Sequence, residues 1–387
     1  MNLKFSESFQ GDRVIWIMAV FLAVFSLLAV YSSTGTLAFK EQAGNTEYYM
    51  IKHLGILLSG FLVMYLAHLV PYWYYSKISQ LLLLIAIPLL LLTLVSGTSI
   101  NQASRWLTVP GIGLTFQTSD FAKLVLVIFV ARQLTKSQEK IGDWKTGIRP
   151  ILIPVIIVTV LILPANFSTA AVIFSTALVI MFIGRISLKY IGMVVGAGVL
   201  LLLFMLLLAT AMPKILPRMD TWTARIESFR NDSQEPYQVK QSKIAVATGG
   251  FFGKMPGKSI QRNYLPHPYS DFIFAIIVEE YGLLGGSALV LFYMILLFRG
   301  VRLANKAPGT FGAFLAIGLS FSIVFQALIN MGVAVNLLPV TGQPLPMVSM
   351  GGTSIWFSSL TIGIILSVSR ATEKETEDKN QNAKQTS

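Results

Sequence analysis

Apolar residues in this chain come in long runs rather than in alternation. Between Val14 and Val30 the only polar side chain is Ser26, and comparable runs recur to the far end. A half-buried strand or a soluble amphipathic helix would break such a run within a few residues. A hydrocarbon core of ~30 Å needs about 20 apolar residues per helix. On that template the chain predicts ten transmembrane helices, at 14–33, 50–70, 78–96, 115–134, 148–164, 167–184, 188–210, 271–298, 309–331 and 350–369. The stretch 148–184 is one apolar segment broken by PANFST, read as a tight turn between two helices. The first run is long and ends in YSSTGTLAF without a small-x-small cleavage site, so it is read as a retained span.

The polar intervals set the orientation. One set of short loops holds Lys77; Arg132, Lys136, Lys140, Lys145 and Arg149; Arg185 and Lys189; and Arg299, Arg302 and Lys306. The short alternate loops hold little more than Lys40 and Arg105, while the loop at 211–270, with nine Lys/Arg, is at the length where the charge rule stops applying. The positive-inside rule then places both termini in the cytoplasm. The expected organisation is an all-α polytopic membrane protein. A cytoplasmic N-terminus spans 1–13, helices one to seven span 14–210, and a large extracytoplasmic loop between helices seven and eight spans 211–270. Helices eight to ten span 271–369 with a re-entrant-like loop at 332–350, and 370–387 is a polar, disordered cytoplasmic tail. Within the large loop, PKILPRMDTWTARIESF predicts an amphipathic helix with Trp222, Ile226 and Phe229 on one face.

Composition agrees with that reading. The chain has 387 residues, 54% hydrophobic and 12% charged, with a mean hydropathy of +0.67. Soluble domains carry about 25% charged residues. The net charge of +12 fits cytoplasmic anchoring and anionic lipid, not nucleic acid. Cysteine is absent, which excludes disulfides, thiolate metal sites and a Cys nucleophile. The three histidines are scattered without HExxH spacing, and neither G-x-S-x-G nor a Walker A sequence occurs.

Four segments hold most of the unusual polar residues. The first is NQASRWLTVPGIGLTFQTSDFAKL, with Arg105 and Trp106 in a loop and Asp120 and Lys123 three apart at a helix start. Two readings fit that pair: a cap with an intrahelical ion pair, or a pair that shapes an interior cavity. The second is PANFST, where Asn166 reads as a helix cap. The third is LPHPYSDFIFAIIVEEYG, with Asp271 at the mouth of an apolar run and Glu279 and Glu280 inside it. Carboxylates inside a membrane are costly and are functional candidates by default. The fourth is INMGVAVNLLPVTGQPLPMVSMGGTS, 329–354, rich in Pro and Gly, whose irregular backbone at membrane depth requires burial in protein or a wet cavity.

Together these segments resemble the SEDS family (shape, elongation, division and sporulation), over about residues 10–370. The overall match leans to its division type, FtsW, over its elongation type, RodA, although both share the motifs quoted. The resemblance implies a ten-helix peptidoglycan glycosyltransferase of the bacterial cytoplasmic (inner) membrane, active on its outer face. It would polymerise lipid II beside a class B penicillin-binding protein, among divisome or elongasome proteins. Asp271 matches the family's essential acidic residue, and Arg105 and Trp106 match its RW motif. Gln117, Ser119, Asp120 and Lys123 match QPSE-x-x-K, with Thr118 for Pro and Asp120 for Glu. Asn166 stands where Asp is usual, and His267 where Glu is common. Pro339, Gly342, Pro344, Pro346, Ser349, Gly351, Gly352 and Ser354 match the last motif.

The implied chemistry is attack of a GlcNAc 4-OH on the anomeric carbon of a polyprenyl-diphosphate-linked glycan. The donor is α and the product β, so a single inverting displacement is expected. It needs a general base, for which Asp271 is the candidate, and cations aimed at the leaving diphosphate. Arg105 is the first candidate, with Lys240, Lys243, Lys258 and Arg262 behind it. A divalent cation, Mg or Mn, would bind diphosphate with few protein ligands, and the sequence neither demands nor excludes one. Asp120, Lys123, Asn166, Glu279 and Glu280 are expected to shape the cavity rather than react. The alternatives are a lipid II flippase or transporter, and a scaffold without chemistry.

Overall fold

In the computed structural model a helix covers each predicted apolar run. The structure describes residues 10–42, 44–100, 103–108, 115–211, 225, 228–229 and 235–385. In chain order the elements begin with α1 (Arg13–Ser33), α2 (Gly35–Glu41), α3 (Thr46–Leu69) and α4 (Tyr72–Ser96). A short sheet follows, of β1 (Thr98–Ile100), β2 (Ala103–Thr108) and β3 (Thr115–Gln117). Then come α5 (Thr118–Lys136), α6 (Arg149–Ile162), α7 (Phe167–Ile183) and α8 (Leu188–Ala211). The last four are α9 (Tyr237–Gly249), α10 (Ile273–Lys306), α11 (Thr310–Ala334) and α12 (Gly352–Gln385).

Among the described residues, seven helices are long and apolar enough to cross a membrane. Two further apolar helices, α7 and the first part of α8, are shorter. The chain is therefore a multi-pass membrane protein. α5 falls outside both sets because Asp120, Lys123, Arg132 and Lys136 lower its hydropathy. It is nonetheless enclosed by protein, every side chain from Leu124 to Ala131 being buried.

The bundle closes by two long packings, α12 along α3 and α10 along α11, with α5 between α4 and α11. Asp12 fastens its cytoplasmic side in the predicted orientation. Its carboxylate accepts from Val14 N at 2.9 Å and from Arg299 Nε at 2.5 Å, and its own N–H donates to Ser369 Oγ at 2.8 Å. One residue thus joins α1, α10 and α12.

Three features differ from the expectations. The small antiparallel sheet, in the order β1-β2-β3, lies in what reads as a plain loop. α4 starts at Tyr72 rather than 78, because Pro71 fits the helix boundary and YWYYSK is amphipathic enough to join. The polar tail, expected to be disordered, continues α12 to Gln385. It contains no Gly or Pro and carries a Lys379–Glu375 pair at 3.0 Å, the i,i+4 spacing that supports a helix. Most of the predicted amphipathic helix at 213–229, including Trp222 and Ile226, lies outside the described residues.

Candidate active site

Asp271 sits in the turn just before α10, half-buried, with the helix beginning two residues later. Among the described residues its carboxylate accepts one hydrogen bond, from Ser270 Oγ at 2.9 Å. The backbone around it is held far more tightly. Asn330 of α11 donates Nδ2 to the Asp271 carbonyl at 2.8 Å and to the Gln343 carbonyl at 2.7 Å. Ser349 donates its hydroxyl to Ser270 O at 2.6 Å and accepts from Leu345 N at 2.7 Å. Met350 N donates to Tyr269 O at 2.9 Å. The peptide carrying Asp271 is therefore fixed by the segment between α11 and α12.

That segment, 335–351, is irregular, with 340, 343 and 345–349 buried and most of the rest half-buried. Its carbonyls are met by side chains from the surrounding helices. Gln326 donates Nε2 to Pro344 O at 3.0 Å, and the buried hydroxyl of Tyr293 bonds Pro346 O. Gly342 has φ +64, and a Cβ there would lie 3.5 Å from Asp271 Oδ2. The glycine serves both the left-handed turn and the space beside the carboxylate. Pro339 lines a cleft with Arg225, Glu235 and Val340. Gly351 O accepts from Ile355 N at 3.1 Å as α12 starts at Gly352, and Ser354 lies buried in its first turn.

The other predicted segments reach the same loop. Gln343 donates Nε2 to Thr169 Oγ1 at 2.7 Å. The N–H of Thr169 is capped by Asn166 Oδ1 at 3.3 Å, so Asn166 is the N-cap of α7. Lys123 lies 3.8 Å from Asp120 and bonds Gln326 Oε1. The two side chains form an intrahelical pair, and Lys123 reaches across to α11. Neither Ser119 nor Asp120 is the N-cap of α5, a place Gln117 takes without a side-chain bond. Gln117 donates instead to Ser119 Oγ at 3.0 Å, and on β3 it pairs with Trp106 of β2. Arg105 precedes Trp106 on that strand.

The candidate cations lie differently from the expectation. Lys240 and Lys258 are exposed, and Lys243 pairs with Glu235 at 2.8 Å. Arg262 donates to Ser32 O at 2.9 Å, at the end of α1. Among the described residues, Arg225 donates Nη1 to Val340 O at 3.0 Å, on the segment that holds the Asp271 turn. Burial lowers the pKa of Arg225, and the charge of Asp271 opposes that shift. Tyr269 beside Asp271 is pushed above the ordinary phenol range by burial, then by the charges of Glu41 and Asp271. It stays a neutral phenol at neutral pH, so it cannot compete as the base.

Glu279 and Glu280, both buried, belong to a separate cluster. Glu279 pairs with Lys254 at 2.8 Å and accepts from Ile260 N and Gln261 N at 3.2 Å each, and from the Ser259 hydroxyl. Glu280 accepts from Ser259 N at 3.3 Å and from the hydroxyl of Ser32. Among the described residues no group of three or more His, Asp or Glu side chains could hold a metal ion.

Sequence reasoning missed Gln326, Asn330, Gln343 and Arg225. Gln326 and Asn330 carried a signal: they are polar side chains four apart in the otherwise apolar FQALIN, so they share one helix face. Arg225 carried none, being one of nine cations in its loop.

The sequence matches the FtsW, RodA and SpoVE family model, described as cell cycle protein, over residues 12–374. Stage V sporulation protein E of Bacillus subtilis is 32% identical over 371 residues, covering 93% of this chain and 97% of that protein. A probable peptidoglycan glycosyltransferase FtsW of Geobacter metallireducens is 33% identical, with 95% and 96% covered. Among solved structures, a chain from a peptidoglycan synthase complex that coordinates polymerization and crosslinking aligns with TM-score 0.67 and 25% identity, covering 93% of this chain and 98% of that one. The rod shape determining protein RodA of Thermus thermophilus shares the fold, with TM-score 0.65, 23% identity, and 93% and 97% covered.

Proposed function

We propose, from the premise that this chain belongs to the FtsW, RodA and SpoVE family, how its residues carry out the family's reaction. The protein is a peptidoglycan glycosyltransferase that works with a penicillin-binding protein in cell-wall synthesis. Lipid II is the monomer and the partner is a class B transpeptidase. The division role is favoured, because FtsW-type proteins recur among the similar sequences. Ten helices cross the membrane with both termini inside, and the Asp271 turn faces outward.

Asp271 takes the proton of the acceptor GlcNAc 4-OH as that oxygen attacks the anomeric carbon of the growing, diphosphate-linked chain. The glycosidic C–O bond forms as the bond from the anomeric carbon to the diphosphate oxygen breaks, with inversion. Diphosphate is a good leaving group and needs charge stabilisation rather than a protonated acid. Arg225, beside the Asp271 turn, and Arg105, on β2, supply it.

The observation that carries this reading is the form of restraint on Asp271. Its backbone is held by Asn330 and Ser349 through the PVTGQPLP segment, while its carboxylate keeps free acceptor capacity. A base needs that combination of fixed position and open lone pairs. The test is polymerisation of lipid II by the purified protein with its cognate transpeptidase. Asp271→Asn should lose about 10²–10⁴-fold of the rate. Near-normal glycan strands from that variant would remove Asp271 from the chemistry.

A further inference from the structure

The segment after α9, Gly250 to Tyr264, reads as part of an ectodomain loop, yet the structure fastens it sideways to α10. Lys254 N and Met255 N donate to the carbonyls of Glu279 and Glu280 at 2.9 Å, and Leu283 N donates to Gly250 O at 2.9 Å. At the same level α10 breaks at Gly282, with φ 69 and ψ −169. Backbones are so close here that a Cβ on Gly282 would lie 2.3 Å from Phe251 O. The buried Glu279 carboxylate closes the contact from the other side by taking Lys254, Ser259, Ile260 and Gln261. The segment is a rigid attachment to the kink.

Most of its outward side chains are apolar. Phe252 is 76% exposed and Met255 61%, with Phe251 and Ile260 also more than half exposed. They hang from the same short stretch of α10 where Leu283 and Leu284 begin an exposed apolar stripe. Before the kink, Phe272 to Glu280 are buried without interruption. After it, the apolar stretch 283–298 runs roughly 24 Å at 1.5 Å per residue, so a ~30 Å core reaches past the kink to the level of the patch. The kink therefore lies where the lipid-facing part of α10 starts, and the patch continues that surface. Lys258, exposed in the same segment, has the reach to keep its ammonium at the headgroups while its stem lies along apolar surface.

We infer that Gly250–Tyr264 is a lipid anchor: Phe251, Phe252, Met255 and Ile260 enter the outer-leaflet boundary between acyl chains and headgroups. It fixes the height of the Asp271 turn, carried on the same helix, relative to the lipid surface from which substrate comes. The leaflet rests on the outward orientation proposed above, while the insertion does not.

The absence of cysteine gives a direct test. Full-length Phe252→Cys, Met255→Cys, Leu291→Cys and Lys240→Cys proteins are each spin-labelled in phospholipid nanodiscs, and collision with oxygen is compared with collision with a water-soluble nickel chelate. Oxygen should dominate at 252 and 255, as at the mid-helix position 291, and the ratio should reverse at 240. A label at 252 as open to nickel as one at 240 would mean a water-exposed loop. A label at 252 closed to both reagents would mean protein covers the patch. Either result overturns the anchor. Reaction of Lys240→Cys with a membrane-impermeant maleimide on intact cells reports the side of the membrane separately, so a wrong orientation is told apart from a failed insertion.

Discussion

Two carboxylate sites lie eight residues apart on one segment and are built in opposite ways. Glu279 is buried and saturated by an ammonium, a hydroxyl and two backbone N–H groups. Asp271 is half-buried, and among the described residues its carboxylate accepts a single short-range bond while its backbone is clamped. A carboxylate whose lone pairs are all used holds structure together. One whose position is fixed but whose lone pairs are open is placed to act on something that arrives. The contrast also answers why acids occur in an apolar run: neither faces lipid.

The comparison breaks if the two sites respond alike. The largest effect is expected from Asp271→Asn, which should lose about 10²–10⁴ in polymerisation rate while melting with the wild type in detergent. Glu279→Ala should do the reverse. It strands Lys254 and two backbone donors in protein, and removing one partner of a buried pair costs about 3–5 kcal/mol. A thermal-denaturation shift of several degrees, or loss of the monodisperse peak, is the expected reading. An unstable Asp271→Asn or a stable Glu279→Ala would erase the distinction.

Asn330→Ala sharpens it at lower amplitude. The variant removes one amide that holds two carbonyls, those of Asp271 and Gln343. Leaving buried acceptors unpaired costs ~1–3 kcal/mol. If Asn330 acts by placing Asp271, kcat should fall about tenfold, which corresponds to ~1.4 kcal/mol at the barrier, with KM for lipid II little changed. A rise in KM at constant kcat would instead make Asn330 part of substrate binding.

How much of this could be read from the chain depends on the range of the interaction. The spans were legible because lipid imposes a length and a composition on each helix separately. Asn166 as a cap and Asp120–Lys123 as a pair were legible because both are local in sequence. Asp271 stood out as an acid at the mouth of an apolar run. The clamp did not, because it joins Thr169, Asp271 and the Asn330–Gln343 stretch, three places far apart in the chain. The sheet at 98–117 was hidden by short strands, whose pairing no periodicity over three residues can announce. Glu279 was visible as a buried acid, but its partners come from a Gly-rich segment that sequence assigns to solvent.

The same reasoning separates the cations. Lys243 shares its loop with Arg225, and by sequence either could face a diphosphate. In the structure Lys243 is paired with Glu235, and its side chain is 44% exposed. Exposed pairs contribute about 0.2–1 kcal/mol, and Glu235 already offsets the charge that a diphosphate would need. Lys243→Ala should therefore leave polymerisation within about twofold of wild type, with stability lowered by no more than ~1 kcal/mol. The measurement is a titration of lipid II at fixed enzyme. A large rise in KM for Lys243→Ala would move the diphosphate away from Arg225 and toward α9, and the open site at Asp271 would then extend further across the loop than its hydrogen bonds indicate.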